Sequence, residues 1–128
     1  MLLPEVTIGQ AVHALTGNIP GSFFVKGEDS YENIVWDESL IPIPPTEEEV
    51  NAKLEELRNA EPMNRLKKHR SRLLQNCDWT QGADSPLSNE KKAEWANYRQ
   101  ALRDLPNTAN PTLDGPFIKD VEWPQEPN

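Results

Sequence analysis

Cysteine is nearly absent. Cys77 is the only one, so no disulfide can close within the chain and no cysteine cluster can hold a metal. A lone thiol fits a reducing compartment. Histidine is almost as scarce, with His13 and His69 alone, far apart in unlike segments. No apolar run nears the roughly 20 residues that a membrane-spanning helix needs. The start, MLLPEVTIGQAVHALTG, has neither a basic n-region nor a long apolar stretch, and does not read as a signal peptide. Apolar residues make up 36% of the chain, below the roughly 45–50% of ordinary globular domains. A modest core is expected, with surface left over for a partner.

Proline and acid are what abound. There are 12 prolines in 128 residues, about twice the usual share of roughly 5%. Net charge is −8, which favours solubility and opposes general binding to nucleic-acid phosphates. The charge is lopsided. Residues 1–62 carry 12 acids and 3 bases, whereas residues 63–128 carry 9 acids and 10 bases. Two modules with different surfaces are implied.

Helix and strand signals divide the chain further. Thr7 reads as an N-cap ahead of Ile8, Ala11, Val12 and Leu15, with Gly17 as the stop. Ser22–Lys26 and Tyr31–Trp36 flank the polar turn Gly27–Ser30, a hairpin signal. Residues 1–40 thus form a small αββ unit. Residues 41–62 follow as a linker (Ile41-Pro42-Ile43-Pro44-Pro45) and an acidic helix capped by Thr46, with Glu47, Glu48 and Glu49 in its first turn. Pro62 either kinks that helix or opens a new one. Residues 63–106 read as a helical hairpin. Met63, Leu66, Leu73, Leu74 and Cys77 line one helix; Trp95, Tyr98, Leu102 and Leu105 line the other, which Ser88 caps and Pro106 ends. Residues 107–128, rich in Pro, Asn and Asp, are expected to be an extended tail with little regular structure. The fold class is mainly α, with a small N-terminal α+β unit (helix plus β-hairpin) and a helical C-terminal module carrying an extended Pro-rich tail.

Chemistry finds little footing. A nucleophile needs a base and an orienting group in reach. Neither His13 nor His69 stands in a recognisable pattern with Cys77, which follows an apolar helical face and reads as a small buried hydrophobe. Glu47, Glu48 and Glu49 are consecutive on a helix and point different ways, so they suit a solvated helix start rather than a metal. Phosphate-binding glycine loops and the GxSxG elbow are absent. No enzyme, cofactor or metal is expected. The basic run Arg65–Arg72 lacks aromatics and could equally neutralise the acidic helix 46–58. Trp79 and Trp123 sit in loop-like segments, where a tryptophan either closes a small core or anchors a partner.

The second half carries a specific pattern. Arg70–Gln81 reads RSRLLQNCDWTQ; Pro86-Leu87-Ser88, Lys91–Trp95, Tyr98–Pro106 (YRQALRDLP) and Trp123-Pro124 follow in order. This resembles the phage tail assembly chaperone family, over roughly residues 62–128. More faintly, Tyr31–Asp37 (YENIVWD) and Pro44–Glu49 (PPTEEE) are similar to the front of small tail-fibre-associated phage proteins. The resemblance implies a non-enzymatic tail or tail-fibre assembly protein, with no cofactor and a phage tail or tail-fibre protein as client. Nucleic acid and membrane are not implied as partners, and self-association stays open. The implied location is the host cytoplasm during assembly. The alternative is a minor structural component kept in the virion tail. On the residues, Arg70, Arg99 and Arg103 alternate with Asp78 and Asp104 and could lock the helices by charge-assisted bonds. Trp79, Tyr98 and Trp123 are the expected client contacts, at the edge of the helical stripe.

Overall fold

A computed structural model of the chain describes residues 6–128. The start read above as lacking a signal peptide therefore lies partly outside the described residues. Two compact units divide at Glu61/Pro62. Among the described residues there are three α-helices and two small antiparallel hairpins, which is the mainly α architecture expected.

In the first unit, α1 spans Ile8–Thr16. Thr7 caps it as expected, and the cap is a full capping box. Gln10 N–H donates to Thr7 Oγ1 at 3.4 Å, and Thr7 N–H donates to Gln10 Oε1 at 3.3 Å. Gly17 ends α1 in the left-handed region, φ 82°, with its N–H donating to the His13 carbonyl. Strands β1 (Phe23–Val25) and β2 (Ile34–Trp36) pair as Phe23↔Trp36, Phe24↔Val35 and Val25↔Ile34. The second strand is shorter than expected. Tyr31–Asn33 form a 3₁₀ turn ahead of it, where the Asn33 amide bonds back to the Glu28 carbonyl. Asp29 in the connecting turn accepts from Ile8 N–H at 3.0 Å, tying the hairpin to the helix start.

This unit is closed by the front of α2, Glu47–Asn76. Val50, Leu54 and Leu57, spaced four and three apart, join Ile8, Ala11, Val12 and Ile34 in one core. The proline-rich linker is packed rather than loose at its ends. Ile41 is 5% exposed, and Tyr31 donates its hydroxyl to the Pro45 carbonyl at 2.8 Å. Thr46 Oγ1 accepts from Glu49 N–H at 3.2 Å, as its capping spacing predicts.

Pro62 lies inside α2. Of the two alternatives, the helix runs on through it. Proline has no N–H to give the carbonyl four residues back, so the ladder is locally weakened there.

In the second unit, the rest of α2 leads through Cys77 and a 3₁₀ turn, Asp78–Gln81, to α3, Asn89–Asp104. Ser88 caps α3, its Oγ accepting from Lys91 N–H at 3.1 Å. Leu66 and Leu102 are fully buried. Beyond Pro106 the chain departs from expectation. Strands β3 (Thr112–Asp114) and β4 (Phe117–Lys119) form a hairpin within the tail. Gly115, at φ 60°, supplies the left-handed position its tight turn requires, and the Gly115 carbonyl accepts from Arg65 Nη1 at 3.1 Å. Asp-Gly-Pro between Leu113 and Phe117-Ile118 is a turn signal that the proline-rich composition masked.

Candidate functional site

The helical hairpin meets at Cys77, Tyr98 and Leu102. All three are buried, and Leu73, Leu74, Trp95 and Trp123 pack around them. Leu73, Leu74 and Cys77 come from the end of α2; Trp95, Tyr98 and Leu102 fall three and four apart on one face of α3.

Arg99 is the clasp of this junction. Its Nη1 donates to the Leu74 carbonyl at 2.8 Å and to Cys77 Sγ at 3.1 Å, and its Nη2 donates to Asp78 Oδ1 at 2.8 Å. The Leu74 carbonyl, near the end of α2, also accepts from Cys77 N–H at 3.2 Å; the cation from the neighbouring helix adds to that bond and suits the dipole. Burial of Arg99 works against its charge, but the Cys77 and Asp78 contacts outweigh that and hold its pKa above the ordinary value. Cys77 in turn donates its thiol to the Leu73 carbonyl at 3.2 Å. Thr80, fully buried, donates to the Cys77 carbonyl at 2.6 Å. Gln81 reaches across to the Lys92 carbonyl at 3.0 Å.

Of the locks expected from charge alone, only Arg99–Asp78 forms as an ion pair. Arg70 instead donates to the Arg103 carbonyl at 3.3 Å, Arg103 donates to the Gln100 side chain, and Asp104 accepts from Gln100. A carbonyl at the end of α3 and a side-chain amide, not carboxylates, are the acceptors these two arginines meet.

The three expected client contacts fall in different settings. Trp79, on the 3₁₀ turn, is 55% exposed. It stands at the end of an aromatic ladder, with ring centroids 6.3 Å from Trp95, which lies edge-on to Tyr98 at 5.6 Å. Tyr98 is 6% exposed and belongs to the core. Burial raises its hydroxyl pKa, and the nearby Glu126 carboxylate adds to this. Trp123 is half-buried against the core and edge-on to His69 at 4.7 Å. The tail supplies cover at this junction. Residues 121–128 have no regular structure, yet Trp123 packs on the junction, Glu126 lies near Tyr98, and the Asn128 carbonyl accepts from Lys91 Nζ in the first turn of α3. The tail therefore runs back along α3. Its lack of periodicity gave no sign of this.

A comparison with family models matches residues 63–128 to the phage tail assembly chaperone protein family. That is more than half of the chain and coincides with the second unit to within one residue. The chain belongs to the phage tail assembly chaperone family. No curated protein and no solved structure matches it. The role in bacteriophage tail assembly follows from the family. Much of the chaperone-family signature, from Arg70 through Leu105, is spent on the junction itself: Leu73, Leu74, Cys77, Thr80, Tyr98, Arg99 and Leu102 are all accounted for by packing or bonds. Trp79 is the large apolar residue of the signature that remains open. Among the described residues, no group of three or more His, Cys, Asp or Glu is placed to hold a metal ion, and no helix is long and apolar enough to cross a membrane.

Proposed function

We propose that the chain acts by binding, without catalysis, holding a phage tail or tail-fibre component in the host cytoplasm and shielding or orienting it until the tail is built. The observation that carries this reading is Trp79. A tryptophan left more than half exposed on a short turn, braced from behind by Trp95 and Tyr98, has the features of a binding anchor: large area, few rotatable bonds, rigid support. Trp123 borders the same junction and adds a second, partly covered indole ring. Tyr98 serves the site from beneath, by keeping the ladder upright.

The test is affinity capture from infected cells, with the captured phage protein identified by mass spectrometry. Trp79→Ala weakens capture of the tail component by more than about 1 kcal/mol and leaves the thermal melt close to wild type. Tyr98→Ala instead unfolds the second unit, at roughly 3–5 kcal/mol for a buried large aromatic. Full capture by a folded Trp79→Ala variant would remove Trp79 from the client surface.

A further inference from the structure

Helix α2 is electrically divided along its length. Residues 47–61 hold six glutamates against Lys53 and Arg58, whereas residues 62–76 hold Arg65, Lys67, Lys68, Arg70 and Arg72 with no acid. Two of these bases are engaged within their own unit: Arg65 bonds the Gly115 carbonyl and Arg70 the Arg103 carbonyl. Lys67, Lys68 and Arg72 are exposed and have no ion-pair partner among the described residues. Together with Ser71 and Gln75 they line an open, shallow groove on one helix face, as residues one turn apart must. On the acidic stretch Glu47, Glu48 and Glu55 are likewise exposed and unpaired among the described residues, while Glu56 is engaged by Lys53.

Uncompensated like charges side by side on a helix repel, so each stretch is stabilised by a partner of the opposite sign. Lys67, Lys68 and Arg72 on one stretch, and Glu47, Glu48 and Glu55 on the other, are left without an ion pair among the described residues. A second copy of the chain carries the complement of each, with matching length. Nucleic acid fits less well: the groove has no aromatic residue for bases to stack on, and the chain's net charge of −8 opposes phosphate. We infer that the basic face Lys67-Lys68-Arg72 of one copy docks the acidic stretch of α2, Glu48 and Glu55 foremost, of another. The contact uses neither Trp79 nor the tail, so it stands apart from client binding.

Sedimentation of the full chain across ionic strengths reads this contact. Wild type self-associates at low salt, and the association weakens as salt is raised, because exposed pairs are screened. Lys67→Glu/Lys68→Glu/Arg72→Glu raises the dissociation constant about tenfold or more, and Glu48→Lys/Glu55→Lys does the same. Mixing the two variants restores association, which no folding defect could produce; circular dichroism confirms that each is helical. A wild-type chain that stays monomeric at low salt overturns the inference. So does association indifferent to both charge reversals, or failure of the folded variants to associate when mixed. DNA retention by the basic face without self-association would assign that face to phosphate instead.

Discussion

Arg99 shows how a single side chain can hold a module this poor in apolar residues. Its guanidinium joins a helix-end carbonyl, a buried thiol and a carboxylate, and these three do not count equally. The Asp78 side chain is 63% exposed, so its pairing is screened by solvent and Asp78→Ala costs only about 0.5 kcal/mol. Arg99→Ala removes a charge-assisted bond from the Leu74 carbonyl, which keeps the Cys77 N–H, and removes the stem that packs between the helices; it costs roughly 2–3 kcal/mol. Denaturant melts of the two variants check this ordering; equal losses would mean the ion pair, not the carbonyl, is what matters. The sequence pointed to Arg99 and Asp78 because opposite charges near the ends of two amphipathic helices are natural partners. It could not show that Arg70 and Arg103 would turn to a carbonyl and an amide, since backbone acceptors leave no mark in composition. The burial of Tyr98 was hidden for a related reason. Helical spacing put it on the apolar stripe with Trp95 and Leu102, but which side of the stripe stays open depends on the tail folding back over it.

The elements whose limits are set by local chemistry were readable. Thr7, Thr46 and Ser88 cap their helices and Gly17 stops α1, because an orphan N–H or a left-handed φ can be met by few residue types. The β3–β4 hairpin and the course of the tail were not, since Pro and Asn dominate the composition there and the strands are only three residues each. Pro62 was left between two outcomes by sequence, as proline suits both a first turn and a kink. With the helix continuous through it, Pro62→Ala restores an N–H to the ladder. It stabilises the chain by about 2–3 kcal/mol, the interior cost of proline less the entropy proline removes from the unfolded chain. A thermal melt that does not move, or falls, contradicts an interior position for Pro62.

At the scale of the molecule, two units share the labour unequally. The second carries the family match and the braced tryptophan. The first closes a core of its own around α1, the β1–β2 hairpin and the front of α2, and carries most of the acid. Both units fall at the small end of the roughly 50–250 residues typical of domains. The central claim is that this chain holds a tail component during assembly and then leaves. Absolute quantitation by mass spectrometry, in purified virions and in tail intermediates isolated from infected cells, tests it most directly. The account predicts the chain in stoichiometric amounts on an intermediate, beside an identified tail protein, and only traces in the finished particle. Stoichiometric recovery from mature virions would contradict it and make the chain a structural component of the tail.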